Sequence, residues 1–260
     1  MTAGKLVFIT GASSGIGQAL AWRYHQAGWR LALAARRTEE IEKWSRAKAI
    51  GAQRIAIFGA DVANTDSIVA AANDCIAQQG VPDVVIANAG ISIGMDTAIR
   101  EDLDVMSRTL ATNTVGLAAT FHPFIDAMTK RGSGTLVGIA SVAGIRGLPG
   151  HAAYCASKAA AISYCESLRG ELRTSGLKVV TICPGYIDTP LTQQNRYAMP
   201  FLMTADVFAD SAFRTIEAGN SFRVIPWQMG AIAKLLRLLP NPLFDALLAG
   251  RPRKHRQRPN

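Results

Sequence analysis

Seven short apolar runs recur along the chain, and their spacing constrains the fold more than any other feature. They are "KLVFIT" (5–10), "RLALAA" (30–35), "RIAIFGA" (54–60), "DVVIANAG" (83–90), "GTLVGIAS" (134–141), "LKVVTICPG" (177–185) and "SFRVIP" (221–226). None alternates polar with apolar, so each calls for cover on both faces, as strands of a parallel sheet between helices require. Six are followed by stretches of helical character: 15–27, 38–50, 65–79, 101–130, 152–174 and 204–218. This alternation predicts an α/β fold, a three-layer α/β/α sandwich around a central parallel sheet of about seven strands. A closed eight-unit barrel would need another strand. With 260 residues, 49% hydrophobic and 18% charged, the chain can bury such a core without metals or disulfides. Cys75, Cys155, Cys165 and Cys183 share no close ligand spacing and read as buried thiols, so no metal site is expected.

The first strand runs straight into "TGASSGIG" (10–17). Gly11, Gly15 and Gly17 let the chain turn tightly, with Ser13, Ser14 and Ile16 between them, and the next helix starts with bare backbone facing outward. Such an N-terminus binds a pyrophosphate through its N–H groups and partial positive charge. A Cβ at the glycines would push the diphosphate away or block helix-to-sheet packing. The spacing is Gly-x3-Gly-x-Gly rather than Gly-x-Gly-x-x-Gly, but its place as the first loop of a βαβ unit predicts a Rossmann-type dinucleotide site. Where a ribose-binding carboxylate would mark NAD, the second strand ends instead at Arg36 and Arg37. Guanidinium groups hold a 2′-phosphate with charge-assisted bonds, which favours NADP(H). The competing reading is two solvated arginines opening the helix "TEEIEKW". Asp61 and Val62, after the third strand, suit an adenine amino group and ring; Asn88, Ala89 and Gly90, after the fourth, suit the adenosine ribose. All stand at carboxyl ends of strands, which makes one crevice the economical reading.

The second half carries groups suited to acid/base work. Ser141 ends the fifth run, Asn113 lies within the long helical stretch 101–130, and "YCASK" places Tyr154 and Lys158 four residues apart on one helix face. A tyrosine is a poor base at neutral pH, and a nearby ammonium stabilises its phenolate. Together with "TGASSGIG", "DV" at 61–62, "NAG" at 88–90 and "PGYIDT" at 184–189, these residues make the chain resemble the one-domain short-chain dehydrogenases/reductases over about residues 5–226. The resemblance implies that Tyr154 is the general acid/base, Ser141 polarises the substrate oxygen, and Lys158 lowers the tyrosine pKa and binds ribose. It implies that Asn113 holds a relay water, that Pro184, Gly185 and Ile187 frame the nicotinamide amide, and that Thr189 lies near the carboxamide or phosphates. It also implies a homodimer built on the helices around 101–130 and 152–174, with a tetramer as the variant. Ala87 replaces the first asparagine of the commoner "NNAG". The expected activity is interconversion of a carbonyl and a secondary alcohol. Residues 91–96, 142–151 and a lid at 189–210 would line the substrate pocket, and the apolar "AMPFLM" (198–203) points to an apolar or lipid-like small molecule. A 3-oxoacyl thioester reductase and a non-catalytic NADPH-sensing regulator are the alternatives.

The net charge of +9 hints at nucleic acid until it is located. The last ten residues, with Arg251, Arg253, Lys254, Arg256 and Arg258, carry +5; residues 221–250 carry +2; the first 220 carry only +2. A nucleic-acid surface would spread across the body, so none is expected. The chain divides into a catalytic domain, 1–228, and an extension, 229–260. Within the extension 229–239 and 242–248 read as two short helices broken at Pro240 and Pro242. Their apolar stripes are Ile232, Leu235, Leu236 and Leu239, then Leu243, Phe244, Leu247 and Leu248. These fit packing on the chain's own pocket or a partner subunit, or a peripheral contact with the inner face of a membrane through stripes and basic tail. Neither a signal peptide nor a spanning apolar run is evident, so a cytoplasmic protein is expected.

Overall fold

A computed structural model describes residues 4–193, 195, 198–250, 254 and 256. The seven apolar runs form seven strands of one sheet: β1 (Leu6–Thr10), β2 (Arg30–Ala35), β3 (Ile55–Gly59), β4 (Val84–Ala87), β5 (Gly134–Ile139), β6 (Leu177–Pro184) and, after two short strands defined below, β9 (Phe222–Ile225). Their order is β3-β2-β1-β4-β5-β6-β9, and every neighbouring pair is parallel. The register sets Val7 between Leu31 and Val84, and Ile9 between Leu33 and Ile86.

Successive side chains on a strand point to opposite faces, and here both faces are dry. Leu6 and Phe8 enter one core with Ala32, Val85, Leu136 and Val179. That core packs on α3 (Thr65–Gln79), α5 (Gly116–Arg131) and α6 (Ala152–Glu171). Val7 and Ile9 enter the other with Leu31, Leu33, Ile86, Val137 and Val180. The second core packs on α1 (Gly15–Gln26), α2 (Thr38–Ala47) and α7 (Ala205–Glu217). Uninterrupted apolar runs are the direct consequence.

The helical stretch expected over 101–130 is unbroken but not uniform. It is α4 (Asp102–Leu110), one π turn (Ala111–Val115) and then α5. The wide turn coincides with a demand on its central residue: Asn113 reaches across to the main chain of Ile91 instead of staying on its own helix. Single π turns of this kind often mark functional positions.

The segment after Thr189 is short of regular structure. Two-residue strands β7 (Ile187–Asp188) and β8 (Met203–Thr204) pair in parallel and pin its ends together. Between them Leu191, Phe201 and Leu202 stand largely exposed.

The extension forms α8 (Trp227–Leu238) and α9 (Asn241–Leu248). Their buried residues are Met229, Gly230, Ala233 and Phe244, whereas Leu235, Leu243 and Leu247 of the expected stripes face outward. Arg146, in the loop after β5, holds both helices. Its guanidinium donates to the carbonyls of Leu236 and Leu239 and to Asn241 Oδ1, and lies 3.8 Å from the centroid of the Phe244 ring. One cation thereby binds two carbonyls at the end of α8 and stacks on an aromatic ring of α9. No helix among the described residues is long and apolar enough to cross a membrane.

Candidate active site

Strand order reverses beside β1, whose neighbours β2 and β4 are reached by crossovers running in opposite directions. A crevice opens at the carboxyl edge of a parallel sheet where this happens. Here it is a cleft of about 730 Å³. Of the residues the sequence singled out for catalysis or cofactor binding, all line it except Gly17 and Asn113.

Gly17 and Asn113 shape the cleft from behind. A Cβ on Gly17 would meet the Gly11 carbonyl and come within 2.7 Å of Asn88 Nδ2. Gly11 sits at φ +68, and a Cβ there would lie 2.8 Å from Ala89 Cα. Asn88 is a strut: its Nδ2 donates to the Thr10 carbonyl at 2.9 Å, and its N–H donates to Thr10 Oγ1 at 3.1 Å. Its side chain thus ties β4 to β1. Ser14, at the N-cap of α1, makes no side-chain cap bond, and the first turn holds no acid. The amides there lack a side-chain acceptor, as an anion-binding helix end requires. Across the cleft Thr189 comes close enough that a Cβ on Gly15 would touch its methyl at 3.2 Å. This cradle suits a diphosphate. At the adenosine end Arg36 lies 3.9 Å from Asp61, and the Arg37 guanidinium donates to Ser13 Oγ at 3.5 Å.

The other end of the cleft gathers the polar residues of the second half. Ser141 follows β5, where its Oγ accepts the Ala143 N–H at 3.2 Å and its hydroxyl hydrogen-bonds to Tyr154. Tyr154 lies in the first turn of α6, one turn before Lys158. Lys158 is buried, donates to the Ile139 carbonyl at 2.8 Å, and holds its ammonium 5.9 Å from the tyrosine ring centroid. Burial pulls Lys158 down to about 8. It pushes the Tyr154 phenol above its ordinary value, with the Ser141 hydrogen bond opposing. Desolvation therefore outweighs the lowering by the Ser141 hydroxyl. Burial also raises the thiols of Cys165, to about 11, and Cys183, to about 12, so both are neutral filler beside Lys158.

Asn113 spends its side chain on the frame of the site. Oδ1 accepts the Ile91 N–H at 2.8 Å, while Nδ2 donates to the Ile91 carbonyl and to Ser157 Oγ, each at 2.9 Å. Both amide protons are spent, so its side chain fastens the loop after β4 to α6. Gly90 lets this bracket approach Lys158: a Cβ there would lie 3.2 Å from Asn113 Oδ1 and 3.5 Å from Lys158 Nζ.

Sequence reasoning missed Arg108 and Thr112, which line the cleft from α4 and the π turn. Their only signal was i, i+4 spacing in what read as an ordinary helix. It also left the tail unplaced. Lys254 donates to Ser92 Oγ at 2.8 Å, and Arg256 grips Asp102. Arg251, Arg253 and Arg258 lie outside the described residues.

A doubly wound sheet with a nucleotide cradle at one end of its crevice and Ser, Tyr and Lys at the other defines an oxidoreductase of the Rossmann class. The family profile described as short chain dehydrogenase matches residues 5–199. An uncharacterized oxidoreductase of Myxococcus xanthus is 36% identical over 242 residues, covering 93% of this chain and 95% of that one. A short-chain dehydrogenase from Streptomyces avermitilis superposes with a TM-score of 0.77 at 23% identity, over 94% of this chain and 95% of that one. The 3-ketoacyl-(acyl-carrier-protein) reductase of Brucella melitensis, solved with NADH, does so with a TM-score of 0.76 at 25% identity, over 85% and 95%. The chain belongs to the short-chain dehydrogenases/reductases.

Replacing Gly11 by alanine tests the cradle. A side chain at positive φ costs about 1–3 kcal/mol, and the Ala89 backbone leaves the methyl no room. Denaturant unfolding of Gly11→Ala is expected to show at least that loss.

Proposed function

We propose that the chain is an NADP(H)-dependent oxidoreductase that interconverts a carbonyl and a secondary alcohol on an apolar or lipid-like small molecule. The observation carrying this reading is the convergence of Ser141, Tyr154 and Lys158 at one end of a cleft whose other end is a diphosphate cradle. A nicotinamide dinucleotide, when bound, supplies or accepts the hydride. Gly11, Ser13, Ser14, Gly15 and Ile16 would hold its diphosphate, Arg36 and Arg37 the 2′-phosphate, and Asp61, Val62, Asn88, Ala89 and Gly90 the adenosine. Lys158 would hold a ribose hydroxyl, and Pro184, Gly185, Ile187 and Thr189 would frame the nicotinamide end.

Residues of the chain handle the proton. Tyr154 donates its phenolic hydrogen to the substrate oxygen, and Ser141 turns its hydroxyl onto the same oxygen. Lys158 keeps positive charge behind the tyrosine as the phenolate forms. Asn113, through Ile91 and Ser157, holds the wall in register. Leu103 and Val115, exposed on α4 and the π turn, offer apolar surface for a homodimer. The extension 229–260 is an addition on the substrate side of the catalytic domain 1–228. The likeness to a 3-ketoacyl reductase favours a second reading, in which the carbonyl belongs to a 3-oxoacyl thioester.

Tyr154→Phe is expected to lower kcat by about 100-fold or more while NADPH affinity, read by fluorescence titration, stays within about twofold; near-normal turnover would refute the assignment. NADPH is expected to show a KM about tenfold or more below that of NADH, the worth of one charge-assisted phosphate contact, and a preference for NADH would refute the arginine reading. The pH profile follows from the two shifted groups. Lys158 keeps its charge below about 8, and the raised tyrosine stays protonated through neutrality. The kcat/KM for carbonyl reduction should therefore be level to neutral pH and fall above 8, while alcohol oxidation, which needs the phenolate, climbs over the same interval.

A further inference from the structure

Two described residues of the basic tail, Lys254 and Arg256, lie against the loop after β4. Arg256 bridges in parallel with Gly94. Its Nε and Nη2 donate to Asp102 Oδ2 and Oδ1 at 2.6 and 2.9 Å, a bidentate pair. The Asp102 side chain is only 3% exposed and also accepts the Asp96 N–H at 2.6 Å. Arg256 and that amide hold its carboxyl down at about 2. Arg256 is thus strapped to the segment between β4 and α4, part of which forms one wall of the cleft.

Two residues before Arg256 stands a cation of different character. Lys254 is half-buried, and its only hydrogen bond among the described residues goes to a neutral hydroxyl, Ser92 Oγ. Ser92 lies between Ile91 and Ile93, both of which line the cleft. The loop before Tyr154 closes the other side. Met95 N–H donates to the Gly150 carbonyl, and burial, with a smaller push from the Lys254 charge, pulls His151 down. No carboxylate among the described residues pairs with Lys254, whereas Arg256 has one of its own. A desolvated ammonium without a counter-ion is costly unless something supplies the negative charge. Burial accordingly lowers the pKa of Lys254.

We propose that the tail completes the substrate site, with Lys254 receiving an acidic group (carboxylate, phosphate or sulfonate) on an otherwise apolar carbonyl substrate. Arg256 is the positioning residue, and its grip on Asp102 holds Lys254 against Ser92. The exposed apolar side chains of the lid, Leu191, Phe201 and Leu202, would meet the body of such an amphiphile. This inference rests on the carbonyl-reductase reading and narrows its substrate class.

The test compares binding of octanoate, octyl phosphate and octanesulfonate with neutral methyl octanoate, by calorimetry on the full-length chain with NADPH present. At least one acid is expected to bind about tenfold or more tighter than the ester, the worth of one charged hydrogen bond; which acid does so identifies the group. Lys254→Met should erase that preference and leave ester binding unchanged, Lys254→Arg should keep it, and Arg256→Gln should weaken it. Equal binding of acids and ester by the wild-type chain, or an undiminished preference in Lys254→Met, overturns the proposal. Turnover of 7-oxooctanoate separates the two readings. A chain that shows the Lys254-dependent preference yet leaves every carbonyl unreduced keeps the anion site and loses the reductase.

Discussion

Parallel pairing of β1 with both β2 and β4 is the constraint on which the rest of the molecule depends. It buries β1 on both faces and at both edges, so every residue from Leu6 to Thr10 is dry. It also forces the crossovers on its two sides to leave in opposite directions. The strand ends diverge there, and the loops after β1, β2, β3 and β4 surround one crevice. Thr10 and Asn88 lock that divergence: two hydrogen bonds between them, and a third from the Ala89 N–H to Thr10 Oγ1, fix the spacing of the two central strand ends. The glycine loop needs this rigidity, because Gly11 and Gly17 leave it no room to shift. Distant packing thus becomes placement of a diphosphate cradle.

The electrostatics of the molecule are local. A chain of formal charge +9 has an almost neutral body, and the cations that matter differ by what surrounds them. Lys158 is sunk beneath the floor of the cleft with a backbone carbonyl as partner, and burial tunes it to about 8. Arg146 spends its donors on the end of α8. Arg256 is neutralised by a buried carboxylate. Lys254 alone among these basic side chains meets only a neutral hydroxyl at the rim of the cleft. The ordering explains how a basic tail, which suggested a contact with something outside the molecule, can serve the chemistry inside it.

Much of this was legible beforehand because its signals are local. Apolar runs of four to eight residues without alternation mean strands covered on both sides, and the seven strands fall within a few residues of the seven runs. The cradle was legible because glycine adopts the positive φ of Gly11 and Gly15 without the cost a side chain carries there. The π turn at Ala111–Val115 was not, since nothing in "ATNTV" departs from a helical pattern; its cause is the pairing of Asn113 with Ile91, twenty-two positions away. The buried face of α8 was misread for a similar reason. Leu235 is more apolar than Gly230, but only a small residue fits against Val224, so the leucine turns outward.

The sequence by itself determined the layered α/β fold, the glycine cradle and the set of residues at the strand ends, because each follows from hydrophobic period, backbone freedom or side-chain chemistry over a few neighbouring positions. Tertiary structure decided what those residues are free to do. It committed the side chains of Asn88 and Asn113 to the frame, raised Tyr154 by burial despite the lysine beside it, and set Lys254 on Ser92 and Arg256 on Asp102. Hydrogen-bond partners and desolvation depend on groups that meet only when the sheet closes, so no local pattern in the chain could encode them.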